Sequence, residues 1–173
     1  MKLIVATVLS AACLCAAGEL SGGRAPGFAL PDLQLKFHDG QDYRGKILIV
    51  EFMQTSCPHC ETFSGVLKKV LAKYGDRVAA LAITNPPDNQ STVGQYVART
   101  GSRIPILFDC GQVAAAFLKV TPKNPTINLP HVFLVDSQGI IRNDFAYSLL
   151  TRDIFEGDGL FRELDRLLAA KPK

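Results

Sequence analysis

The amino-acid sequence predicts an α/β sandwich in a single domain, and three observations carry that expectation. The run KILIVEFM, residues 46–53, is almost continuously apolar and β-branched at its centre, as a strand covered on both faces is. It and two further apolar runs alternate with two helical patterns, in the order β-α-β-α-β. A chain of 173 residues, 47% apolar and 20% charged, is also long enough to bury its own core without disulfides or a metal. The net charge of +3 is too small to point to nucleic acid.

The elements follow in chain order. SGGRAPGFALPD, residues 21–32, is rich in Gly and Pro and reads as a tether. LQLKFHDG, residues 33–40, alternates apolar Leu33, Leu35 and Phe37 with polar neighbours, as a half-exposed strand ending in an Asp-Gly turn would. After the buried strand at 46–53, a helix is expected from Pro58 to about Tyr74, with Pro58 in its first turn. Phe63, Val66, Leu67, Val70 and Leu71 then recur on one face, and Gly75 is the stop. RVAALAIT is a second buried strand, NQSTVGQYVART a helix closed by Gly101, and IPILF a third apolar run. DCGQVAAAFLKV reads as a short helix, and TPKNPTINLP as a loop held out of regular structure by its prolines. HVFLVDSQGIIRNDF is a hairpin turning at Asp136 to Gly139, and a final amphipathic helix runs from about Gly159 to Ala170, with Leu164, Leu167 and Leu168 inward.

The first eighteen residues stand apart. Met1-Lys2 followed by an uncharged apolar run to Gly18 has the pattern of a secretory signal, with small residues placing cleavage near Ala17 or Gly18. An uncleaved anchor and a lipid-modified cysteine are the alternatives, the last weakened because neither Cys13 nor Cys15 has Leu three residues before it. Residues 1–18 are therefore expected to be a signal peptide or membrane anchor, and residues 19–173 the folded domain. Cleavage leaves Cys57, Cys60 and Cys110 in an exported chain, where disulfides persist.

The chemistry is expected in EFMQTSCPHCETF, residues 51–63. A disulfide across so short a loop constrains the unfolded chain by only about 2 kcal/mol, against about 3 kcal/mol for a fifteen-residue loop, so the pair makes a poor staple. Zinc usually takes four ligands, and no second cysteine pair remains once the segment carrying Cys13 and Cys15 is cleaved. A redox pair has a clearer rationale. Cys57, where a buried strand runs into a helix, meets unpaired N–H groups and the positive end of the helix dipole, which favour thiolate. Cys57 is thus the expected nucleophile, Cys60 the more buried resolving thiol, His59 a group that stabilises the thiolate, and Pro58 a shaping residue. Glu51 interrupts an apolar strand, where a carboxyl is kept protonated or paired, and is the candidate base for Cys60.

The segments APGFALPDL, RGKILIVEFMQTSCPHC and LPHVFLVDSQGII, with the β-α order, resemble the exported TlpA/ResA group of the AhpC/TSA superfamily across roughly residues 25–170. The CPHC motif, with a glutamate six positions before its first cysteine, also resembles the active site of DsbA. The resemblance implies a thioredoxin-like three-layer α/β/α sandwich with a central mixed sheet. It further implies thiol–disulfide exchange without a dissociable cofactor, and a cis-proline segment at Leu129-Pro130 that holds the partner's backbone. The implied partners are protein thiols or disulfides and a redox partner protein; a membrane enters only if the N-terminal segment stays uncleaved. Two features depart from the group: Phe63 stands where an acidic residue is usual, and the loop from Lys119 to Pro130 looks long enough to act as a lid or contact surface.

Two other readings compete. A thiol peroxidase has Pro and Thr where this chain has Val50 and Gln54. A Cu(I) carrier would use both thiolates and His131, which follows Pro130 directly. Otherwise His38 and His131 are expected as ordinary surface or loop residues, and Cys110 as a buried small residue at a helix start or as a third redox thiol.

Overall fold

Seven consecutive residues, Ile47–Met53, form a strand (β3) in which every side chain is buried. A computed structural model, which describes residues 20–121, 123 and 127–170, places this strand at the centre of a five-stranded mixed sheet. The expected leader at 1–18 lies outside the described residues, as does part of the loop expected to form a lid. On one side β3 runs parallel to β4 (Val78–Thr84), which runs parallel to β5 (Ile106–Phe108). On the other it pairs antiparallel with β6 (His131–Val135), and β6 with β7 (Ile141–Ala146). The sheet order is β5-β4-β3-β6-β7, the mixed sheet that the family resemblance implies.

Alternation along β3 divides the core into two layers. Ile47, Ile49 and Met53 face α1 (Pro58–Tyr74), α2 (Gln90–Thr100) and α5 (Gly159–Ala169), packing on Phe63, Leu67, Val70, Val93, Tyr96 and Leu164. Leu48, Val50 and Phe52 face Phe133, Phe28 and Phe117 of α3 (Gln112–Leu118). α1 starts where Pro58 occupies the first turn and ends at Gly75, whose φ of 56° is a conformation that a side chain would strain. α2 begins in a capping box, with the Asn89 side chain accepting from Ser91 and Thr92 N–H and the Thr92 hydroxyl accepting from Asn89 N–H.

Four expectations are corrected. The expected tether contains β1 (Ala29–Pro31), paired antiparallel with β2 (Phe37–Asp39), and Arg24 bridges to Ile140. The strand expected over 33–40 is confined to 37–39, because Asp32 Oδ1 accepts from Gln34 and Lys36 N–H and draws the intervening residues into a turn, with Leu35 at φ 61°. His38 is buried rather than superficial, held between Asp32 (Nε2 to Oδ2, 2.8 Å) and the Tyr43 hydroxyl (Nδ1, 2.9 Å). Cys110 is exposed: Asp109 takes the buried place before α3, accepting from Val113 and Ala114 N–H, and this turns Cys110 outward. A short helix not expected from the sequence, α4 (Arg152–Glu156), follows β7.

Candidate active site

The buried strand β3 ends at Met53, and four residues later Cys57 caps α1 with its own sulfur. Cys60 N–H points at Cys57 Sγ from 3.3 Å, so the sulfur takes one of the donors that a helix start leaves unpaired. The Cys57 thiol is half-buried and faces Leu129 O at 3.8 Å, and the Leu129–Pro130 bond is cis. Cys57, Pro58, Cys60, Leu129 and Pro130 are thus brought together, with the proline segment opposite the outer sulfur. Both cysteines are free thiols in this structure.

Cys60 is fully buried one helical turn inward. Burial pushes its thiol far above the ordinary range, and negative charge on Glu51 pushes it further; a hydrogen bond from the Gln54 backbone acts the other way. Glu51 comes from the central strand β3. It is in register with Val132 on the layer that contains Cys60, is 3% exposed, and its Oε1 has no hydrogen-bond partner among the described residues. Burial raises its carboxyl to about 8, so it carries a proton at neutral pH.

His59 is turned toward α4. Its Nδ1 lies 3.2 Å from Glu156 Oε1 and its ring stacks on Tyr147, so its partners come from beyond the motif. His131 is not the surface residue expected. It pairs with Phe52 on the opposite layer from Cys60, stacks on Phe133 with centroids 4.8 Å apart, and is held by burial at about 4, hence neutral. A Cu(I) set of Cys57, Cys60 and His131 is therefore divided by the sheet.

Three side chains without a local sequence signal complete the site. Asp88 accepts from Thr55 N–H (2.9 Å), Thr55 Oγ1 (2.5 Å), Thr84 Oγ1 (2.5 Å) and Thr92 Oγ1 (3.2 Å), fastening the turn before Cys57 to β4 and α2. Burial raises its carboxyl, but these hydrogen bonds outweigh burial and leave it below the usual range. Arg99 adds a bond to Thr55 O at 3.2 Å and an ion pair to Glu61 at 3.1 Å. The Tyr96 hydroxyl donates to Cys60 O at 3.3 Å, holding the second cysteine's turn to α2.

The comparisons with known proteins agree with this architecture. The chain is 29% identical over 136 residues to the thiol-disulfide oxidoreductase ResA of Geobacillus thermodenitrificans, covering 77% of this chain and 73% of that protein. A thioredoxin-like protein, YneN of Bacillus subtilis, is 24% identical over 128 residues, 73% of this chain and 71% of its own. Among solved structures, a putative DsbE from Chlorobium tepidum superposes with a TM-score of 0.70 at 18% identity, covering 86% of this chain and 98% of its own. A putative thioredoxin from Neisseria meningitidis gives a TM-score of 0.62 at 26% identity, with 83% and 89% covered. The AhpC/TSA family model matches residues 21–144, and with the dithiol at the end of the central strand of a thioredoxin-like sheet, the chain belongs to the AhpC/TSA family.

Proposed function

We propose that the chain is a thiol–disulfide oxidoreductase that exchanges disulfides with protein thiols through Cys57 and Cys60. The observation that carries this is the asymmetric dithiol: Cys57 half-buried at a helix start, Cys60 fully buried one turn inward on the layer of the core that buried Glu51 also faces. Relatives named thiol-disulfide oxidoreductase support the same reading. Cys57 thiolate attacks a partner's disulfide and releases one partner thiol. Cys60 then attacks Cys57 within the mixed disulfide and releases the second, so two electrons pass from the protein dithiol to the partner. Glu51 exchanges a proton with Cys60 as that thiol becomes a nucleophile. Leu129 and Pro130 hold the partner's backbone beside Cys57.

The reading includes export: residues 1–18 act as a signal or anchor and residues 19–173 as the catalytic domain. No helix among the described residues is long and apolar enough to cross a membrane. The test is substitution of each cysteine. Cys57→Ser abolishes exchange, whereas Cys60→Ser accumulates mixed disulfides with partner proteins; full activity in Cys57→Ser sinks the mechanism. The reduction potential measured against glutathione then gives direction, a value near −120 mV marking a donor of disulfides and one near −270 mV a reductant.

A further inference from the structure

Between α1 and the segment that follows α2 lies an open groove of about 710 Å³. One wall is a row on α1: Glu61, Ser64, Gly65, Lys68, Leu71 and Ala72. At 3.6 residues per turn, each of these positions falls within a quarter-turn of the direction of Cys57, which heads the row as the helix cap. The other wall is Arg99 of α2 with Ser102, Arg103 and Ile104 of the loop after it. That loop is fixed: Gly101 N–H donates to Val97 O at 2.9 Å, Thr100 Oγ1 to Tyr96 O at 2.8 Å, and Ser102 N–H to Thr100 Oγ1 at 3.2 Å. Arg99 joins the groove to the dithiol turn, because its guanidinium donates both to Glu61 and to Thr55 O, two residues before Cys57.

Charge and shape indicate what the groove takes. Its lining carries three cations, Lys68, Arg99 and Arg103, against one carboxylate, Glu61, which is engaged by Arg99. Lys68 and Arg103 have no ion-pair partner among the described residues. Gly65 sits in the interior of α1, where a glycine weakens a helix relative to alanine. Packing does not demand it, since a Cβ at that position would meet nothing within 4 Å. Its bare backbone instead widens the groove one turn before Lys68.

We propose that this groove docks an extended, acidic segment of the protein partner, leading away from the cysteine that reacts with Cys57. The assignment rests on the dithiol-exchange reading and adds the chemistry of the partner. Lys68 lies eleven residues beyond Cys57, or about 16 Å along the helix axis. An extended chain covers that distance in about five residues, so the partner's carboxylates belong about five positions from its reactive cysteine. Lys68 is more than a Debye length from the sulfur at physiological salt. It therefore speeds capture of the partner and leaves the reactivity of the thiol alone.

The test uses the full chain, reduced, and two synthetic peptides whose single cysteine forms a mixed disulfide with mercaptoethanol. One peptide has glutamates four to six positions from the cysteine on both sides, and the other has glutamines there. Each reaction breaks the probe's S–S bond to give two thiols and leaves Cys57 joined to Cys60, so electrons balance. At low salt the glutamate peptide is expected to react about tenfold faster than the glutamine peptide, the ratio falling toward one as salt is added. In the double variant Lys68→Gln, Arg103→Gln the ratio is expected to be one at low salt. Gly65→Leu, which fills the groove with a residue that helices favour, is expected to do the same. Because each ratio is taken within one protein, a variant with a slower dithiol does not imitate the effect. A ratio of one in the native protein, or a ratio that survives either variant, overturns the assignment. A native protein that reduces neither peptide nor hydroxyethyl disulfide, which needs no docking surface, sinks the exchange reading itself. Docking is then decided by the amide NMR signals of Ser64, Gly65 and Ser102 as a glutamate peptide with serine for its cysteine is added: movement upholds the assignment, and none overturns it.

Discussion

Replacing Glu51 with Gln removes a titration from the centre of the sheet while keeping the shape of the side chain. The carboxyl moves from an ordinary 4.5 to about 8 on folding, so between those values the folded chain binds more protons than the unfolded one. Stability is therefore untouched below pH 4.5 and falls as pH rises toward 8. At about 1.4 kcal/mol per tenfold change, the loss is about 3 kcal/mol at pH 7 and on the order of 4 to 5 kcal/mol above pH 8. Glu51→Gln resembles the protonated acid. It is expected to match the native protein near pH 5 and to exceed its stability by about 3 kcal/mol at pH 7. Urea unfolding of the reduced proteins at pH 5, 7 and 8.5 measures this directly. The more stable variant is also expected to be the slower one, with mixed disulfides resolved more slowly because Cys60 has lost its proton partner. Parallel pH dependences in the two proteins refute the buried, protonated Glu51 on which the mechanism rests.

Other expectations follow from named contacts. Asp88→Ala leaves Thr55, Thr84 and Thr92 without their shared acceptor. It is expected to lower stability by about 3 kcal/mol in urea unfolding and to slow exchange, because the turn before Cys57 is released. His131, neutral in the fold with its value lowered from 6.5 to about 4, makes the unfolded chain bind more protons between those values. Stability is therefore lost as pH falls from 6.5 toward 4, by about 3 kcal/mol, and His131→Leu flattens that limb of a pH–stability curve. Alkylation of the folded, reduced protein is expected to label Cys57 and Cys110 and to spare Cys60 until denaturant is added, as mass spectrometry of the digested protein would show. Cys110→Ser is expected to leave exchange unchanged, and a fall in rate would make Cys110 a third redox thiol.

Much of the sheet is legible in the sequence, because β3 announces itself: seven residues buried on both faces are apolar almost without interruption. The one interruption, Glu51, is readable for the same reason, as a polar group in a place that water does not reach. Cys57, Pro58 and Cys60 lie within one turn, so their geometry follows from the helix start alone. Asp88, Tyr96, Tyr147 and Glu156 have no such signal; they reach the site through tertiary contacts, and α4 is too short to show a period. β1 escaped for a similar reason, three residues flanked by Gly and Pro. The placement of the histidines is not legible in the sequence, because an imidazole is buried or exposed according to its partners. Asp32 and Tyr43 hold His38, and the aromatic layer around Phe133 covers His131. Cys110 turns outward because its neighbour Asp109 competes successfully for the inward place.

The fastening of Thr55 to Asp88 has a consequence for how the domain responds to a partner. Thr55, Thr84 and Thr92 belong to three different parts of the chain, and one carboxylate serves all of them. A partner that pulled on the segment carrying Cys57 would strain β4 and α2 through the same two oxygens. In the proposed exchange the mixed disulfide forms on a segment tied to β4 and α2 by these four hydrogen bonds, not on a free loop.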